Sequence, residues 1–399
     1  RADENAVEDG ISVAGVADLL NQGVVSFEVM RGLGLPGQVL VRGPRGQHDL
    51  AASLLSLNDQ LSYFEPNTLV HGQVFPNDPR FGDLHALHNE HDGGVDINAP
   101  EAWDISTGSR DVVVAVIDSG VDYTHPDLYL NIWINPGEIP AALNVQDTDG
   151  DGIISFVDLN APANAAVVAD VNGTGYIDGG DLLALDGVPV GEPVWINGED
   201  DDGTAGDGFV GDFRGGDVRS PEHTPYDDNR QGTHVAGTTG TVRHNDVGVT
   251  GLNWQSSILP LKFLDSNNSG SAADAASALA YARRMRQDFG VNIAVTNNSW
   301  GSDEFSFNLR DQVDETSNAG ILVVAAAGNG SGVQENDNDA FPFYPASYEA
   351  ELVLSVTAST PQDEISHFAN YGSESVDLAA PGVTILSTEP GAIYATQSG

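Results

Sequence analysis

"DVVVAVIDSG" spans residues 111–120 and runs through six consecutive apolar residues, Val112 to Ile117, before reaching Asp118. A run rich in β-branched residues and without polar alternation predicts a strand covered on both faces. "ILPLKFL" (258–264), "VNIAVTNNSWG" (291–301) and "GILVVAAAGNG" (320–330) have the same character. "AADAASALAYARRMR" (272–286), Ala-rich with Arg at its C-terminal end, predicts a helix between two of these strands. Strand, helix and strand repeating in this way predict an α/β fold, a parallel sheet flanked by helices. Ligands of such sheets bind at the carboxyl ends of the strands, where "IDSG", "NNSWG" and "AAGNG" fall.

Outward from this centre, residues 1–75 read as a small α+β unit. Its strands are expected in "GQVLVRG" (37–43) and "LSYFEPNTLV" (61–70), around a helix in "HDLAASLLSLND" (48–59). Turn-rich sequence predicts a linker over 76–94. The remainder, 95–399, is the main domain, with an acidic insertion at 144–217. "RADENAVEDG" (1–10) has neither an initiating Met nor a basic-then-apolar signal pattern, so a segment removed upstream, or a start within the gene, is expected.

With 59 acidic against 15 basic residues, the net charge is -44. That field argues against nucleic acid and anionic membranes as partners, and it favours cations. No apolar run reaches the roughly 18 residues that a membrane span needs. The absence of cysteine excludes disulfides and thiolate metal sites, and is compatible with an extracellular location. Sixteen acidic residues lie within 144–217 against the single Arg214. "DTDGDGIISFVD" (147–158) sets oxygen ligands at Asp147, Asp149, Asp151, Ser155 and Asp158 around Gly152, the spacing of a calcium loop. "DVNGTGYIDGGD" (170–181) repeats it 23 residues on, with Asp170, Asn172, Thr174, Asp178 and Asp181 around Gly175. The competing reading is a pair of solvated Asp/Gly turns. "EDDDGTAGDGFVGD" (199–212) fails the spacing of a third loop. The pair resembles dockerin-type and EF-hand repeats, which raises a cohesin-like partner, although "LNAPANAAV" (159–167) makes a poor helix.

"VVVAVIDSGVDYTHPDL" (112–128), "GTHVAGT" (232–238), "NNSWG" (297–301), "VVAAAGNG" (323–330) and "DLAAPGVTILST" (377–388) together resemble the subtilisin-like serine proteases, the subtilases. The resemblance covers roughly residues 95 to 399 and implies a subtilisin-like fold. In that family a carboxylate orients a His, the His takes a proton from a Ser, and the Ser attacks a peptide carbonyl. Asp118 matches the catalytic carboxylate. Asn329 matches the oxyanion-hole amide, whose removal costs about 3–4 kcal/mol. Ser299, Trp300 and Gly301, with Ala326, Ala327 and Gly328, match the segments that hold a substrate peptide as an added strand and floor its P1 pocket.

"DDNRQGTHVAG" (227–237) departs from the family at the decisive position. Aligned on "GTHVAG", Gln231 stands where the catalytic His belongs, and His234 corresponds to a second, structural His. A primary amide does not accept a proton near neutral pH, so Gln231 cannot act as general base. In subtilisin itself, loss of that His alone is measured to cost about 10⁶ in turnover. His234 is the only local substitute, about 5 Å away along a helix face. "YATQSG" (394–399) leads in the family into Thr-Ser-Met-Ala, which puts the nucleophilic Ser two residues past Gly399, absent from this sequence.

The resemblance also implies a calcium site at Asp127 and Asn245. The N-terminal unit is similar to a subtilase prosegment, with cleavage expected near 72–76; without working catalysis it would stay attached. The expected protein is a secreted, calcium-stabilised serine endopeptidase by family, acting on polypeptides, whose chain as written is inactive. The alternatives are a pseudoprotease that binds peptides or a partner, and a calcium-dependent scaffold built on 144–217.

Overall fold

The computed structural model describes residues 27–33, 38–43, 75–90, 95–139, 143–182, 215–219, 224–330 and 336–399. The chain divides into two compact units, Arg1–Gly72 and Gln73–Gly399. In the smaller, β1 (Glu28–Gly32) and β2 (Val39–Arg42) pair antiparallel. β2 falls inside the expected 37–43 strand. The helix expected at 48–59, the strand at 61–70 and the third acidic stretch at 199–212 lie outside the described residues.

In the larger unit the strands are β3 (Gly108–Asp118), β4 (Gly216–Asp217), β5 (Gln255–Lys262), β6 (Ile293–Asn298), β7 (Leu322–Ala326), β8 (Val353–Ser359) and β9 (Leu378–Pro381). They form one sheet in the order β4-β5-β3-β6-β7-β8-β9, parallel throughout. β10 (Ile385–Glu389) and β11 (Ile393–Gln397) pair antiparallel beside it. The helices are α1 (Ala99–Trp103), α2 (Phe156–Leu159), α3 (Gln231–Gly240), α4 (Ala272–Asp288) and α5 (Phe307–Asn318). The Ser271 hydroxyl opens α4 by accepting the Asp274 N–H, and Arg286 lies in its last turn, so both ends complement the helix dipole.

Alternation along β3 explains its unbroken apolar run. Val113, Ala115 and Ile117 pack with Leu279 and Met285 of α4 and Val313 of α5. Val116 faces the other way, into a cluster with Ala236 of α3, Leu128, Phe156, Leu159 and Leu182. Both faces of the central strand are covered, so neither tolerates a polar residue. The second cluster also ties the acidic insertion to the body of the domain, since Phe156, Leu159 and Leu182 belong to it. The expected helix-poor stretch after the first loop forms only a 3-10 turn, Pro162–Asn164.

Residues 76–90, within the stretch read from sequence as a linker over 76–94, carry packed side chains. Leu84 and Leu87 join Trp103, Val249, Trp254 and Leu386 in a third cluster, and the Arg80 N–H donates to the Gly248 carbonyl. Two apolar side chains three residues apart outweigh the turn-rich composition that suggested a connector. The chain runs from β3 to β5 on one side and then to β6 on the other. The carboxyl ends of these strands therefore lie where direction reverses, the place at which open α/β sheets hold their ligands.

Candidate active site

Asp118 closes β3 and is fully buried. Its Oδ1 accepts the Ser119 N–H at 2.7 Å, while its buried Oδ2 has no hydrogen-bond partner among the described residues. Burial pushes the carboxyl up to about 7; the Ser119 hydrogen bond opposes that rise, nearby Asp227 adds to it, and Lys262 opposes it. Lys262 is the register partner of Asp118 on β5. Its buried ammonium donates to the Ser119 carbonyl and pairs with Asp228 at 2.6 Å.

Asp227 organises the start of α3. Its carboxylate accepts the N–H groups of Asn229, Arg230 and Thr233, each at 2.9 Å, and the hydroxyls of Ser119 and Thr233. These are the donors that a helix N-terminus leaves open. Gly232 is required for the approach: a Cβ there would stand 2.0 Å from the Gly120 carbonyl oxygen. The helix therefore seats its first residue, Gln231, past the end of β3. The Gln231 amide turns toward the segment after β6, donating from Nε2 to the Ser299 carbonyl at 2.6 Å. Its Oε1 accepts from Asn268 at 2.5 Å. Neither atom is hydrogen-bonded to Asp118.

His234 is turned away from Asp118, toward the β10–β11 pair. It is 6% exposed, and its Nε2 lies 2.9 Å from the Ile385 carbonyl and 3.2 Å from that of Ala395. Burial holds its ring below the usual histidine range, against the pull of those two carbonyls. Its role is to join α3 to the β10–β11 pair.

Ser299, Trp300 and Gly301 follow β6, and Ala326, Ala327 and Gly328 close the adjacent β7. Trp300 faces inward: its Nε1 donates to the Ile117 carbonyl at 2.9 Å and its ring lies 4.8 Å from that of Phe263. Asn329 is exposed, and its Nδ2 stands 3.5 Å from the position of a Cβ on Gly399.

In the insertion, ligand atoms of Asp147, Asp149 and Asp151 lie within 4.8 Å of one another, a group able to hold a cation. Ser155 and Asp158 are engaged elsewhere. Ser155 caps α2, and Asp158 accepts the Thr148 and Ser155 N–H groups at 2.7 and 3.0 Å. Burial pushes the Asp158 carboxyl up, but these bonds and two hydroxyl donors outweigh it and hold it below the usual range. The second loop repeats the framework. Asp170 accepts from Gly173 and Gly175 as Asp147 does from Gly150 and Gly152, and Asp181 accepts from Val171 and Asp178 as Asp158 does from Thr148 and Ser155. Asn172 and Thr174 both hydrogen-bond Asp178, whose carboxyl burial pushes up to about 6.

Asp127 and Asn245 meet at 2.7 Å, and burial pushes the Asp127 carboxyl up to about 7. Sequence reasoning missed Asp78 beside them. Asp78 accepts the His244 N–H at 3.1 Å through one oxygen, and its other oxygen is buried without a partner among the described residues. An orphaned carboxylate oxygen next to Asp127 fits a cation. No local signal could have found Asp78, because its partners lie more than 160 residues away in sequence. Asp227 was legible in principle, as an Asp just ahead of a helix start.

A family model described as the subtilase family, Peptidase_S8, matches residues 109–399. Thermophilic serine proteinase of Bacillus sp. (strain AK1) is 30% identical over 355 residues, 89% of this chain and 63% of that protein. Thermitase of Thermoactinomyces vulgaris is 29% identical over 325 residues, 81% of this chain and 79% of its own. Extracellular basic protease of Dichelobacter nodosus is 28% identical over 345 residues, 85% of this chain and 47% of that protein. The chain thus spans less than two thirds of the first and third of these relatives.

Proposed function

The chain belongs to the subtilase family, and from that premise we propose that the ends of its parallel strands form the peptide cleft of a serine endopeptidase framework in which Gln231 disables turnover. One observation carries this reading. The Gln231 amide is hydrogen-bonded to the Ser299 carbonyl, while Asp118 Oδ2, the atom that would orient a catalytic imidazole, is left without a donor. A Ser nucleophile has no proton acceptor at this position, because neither Gln231 nor the carbonyl-bound His234 supplies one. The remaining parts support peptide binding: backbone edges at Ser299–Gly301 and Ala326–Gly328, and the exposed Asn329 amide as an oxyanion donor. A peptide strand added along Ser299 would compete with Gln231 for the carbonyl.

Calcium completes the reading. Asp147, Asp149 and Asp151 would hold one ion and the Asp170 loop a second, with Asp78, Asp127 and Asn245 providing a third position; bound there, the ion supplies positive charge that ties loops together. An extracellular location is supported by the name of the Dichelobacter nodosus relative. The N-terminal unit, read as a prosegment, would stay attached.

The test is to express the full-length protein as found and as Gln231→His, and to assay both on a chromogenic peptide with calcium. The unaltered protein is expected to turn over barely above background. Gln231→His should raise the rate by several powers of ten, as the subtilisin measurement of about 10⁶ for this His indicates. Turnover by the unaltered protein at ordinary protease rates, about 1–10³ s⁻¹, overturns the proposal.

A further inference from the structure

The geometry points to Phe343 as the residue that limits which side chain the cleft accepts, restricting the occupant beside Gly301 and Gly328 to glycine, alanine or serine. This rests on the reading above, in which the two segments hold a peptide. β6 and β7 are paired so that Asn298 lies opposite Ala325. Three residues beyond each of these come Gly301 and Gly328, which on the reading above form the two walls of the cleft. A Cβ on Gly301 would lie 2.2 Å from Phe343 Cε1, and a Cβ on Gly328 would lie 2.9 Å from the same atom. One edge of a single ring therefore abuts both walls, where a substrate side chain would otherwise enter between them.

The ring is held by its backbone. Ser302 and Tyr344 exchange N–H···O bonds at 2.8 and 2.9 Å, and Ser347 accepts the Phe343 N–H through its hydroxyl and donates its own N–H to the Phe343 carbonyl. A large occupant would have to displace this braced segment. Both walls are already glycine, so neither has a side chain left to remove to make room. Asn370 Nδ2 also stands 2.7 Å from the position of a Cβ on Gly328, but among the nearest side chains the half-buried Phe343 ring alone reaches both glycines, so its size sets the depth of the site.

Two fluorescent tetrapeptides with free C-terminal carboxylates, identical except for a final Ala or Phe, test this by anisotropy against the full-length protein carrying Gln231. The unaltered protein should bind the Ala peptide about tenfold or more tightly, the discrimination typical of pocket size. Phe343→Ala should erase or invert the preference, with Phe343→Val between. The comparison on the unaltered protein stands even where a variant folds poorly. Equal or tighter binding of the Phe peptide by the unaltered protein overturns the role of Phe343 while leaving the cleft reading intact. Failure of both peptides to bind every version overturns the cleft reading, and the role of Phe343 with it.

Discussion

Asp118 is a fully buried carboxylate whose Oδ2 has no hydrogen-bond partner among the described residues. In the folded chain it keeps its proton up to about pH 7, whereas in the unfolded chain it releases it near its ordinary value of about 4. The folded state therefore binds the extra proton between those values. Stability linked to Asp118 is fullest below about pH 4 and is lost as pH rises through about 7. Asp118→Asn buries no charge, so its melting temperature should gain on that of the unaltered protein between pH 4 and pH 8. Melting curves that stay parallel across that range would refute the assignment. The identity of residue 231 could be read from the motif around it. The direction of its amide could not, because Ser299 and Asn268 reach it only through the fold.

At the scale of elements, the two acidic loops are the clearest case of sequence repeat becoming structural repeat. The same N–H groups, offset by 23 residues, point at Asp147 and Asp170 in the two loops. The second loop then docks on the segment after β3: the Tyr176 hydroxyl donates to the Thr124 carbonyl at 2.9 Å, and its ring stacks on Tyr129. An ion bound only by the folded state stabilises by about 2.7 kcal/mol at a hundredfold excess over its Kd. Calcium should therefore raise the melting temperature of the full-length protein, and Asp147→Asn or Asp170→Asn should shrink that rise. A melting temperature indifferent to calcium in the unaltered protein ends the calcium reading. The ligand spacing was visible in sequence. That Asp158 and Asp181 spend both oxygens on backbone donors was not, since hydrogen-bond allegiance depends on how each loop closes.

At the scale of the molecule, the net charge of -44 sets a self-repulsion that every condition must contend with. Raising NaCl from about 0.01 M to about 1 M shortens the screening length from about 30 Å to about 3 Å, so melting temperature should climb with salt. Equal concentrations of KCl should act alike, unlike the site-bound effect of calcium; a flat or falling trend would show that the surface charge costs little. The parallel sheet, α4 and the family motifs were all legible, because burial on both faces forces an unbroken apolar run and strand ends keep their turn residues. The packing of Leu84 and Leu87 was not legible, since composition around them suggests a connector while their partners Trp103, Val249 and Trp254 come from other segments. The sequence by itself determined the fold, the identity of Gln231 within its motif and the repeated acidic loops, all of which follow from residue type and spacing. Only the tertiary structure decided where Gln231 points, that Asp78 joins Asp127, and that Phe343 lies between Gly301 and Gly328. Those facts rest on contacts between distant segments, which local spacing does not encode.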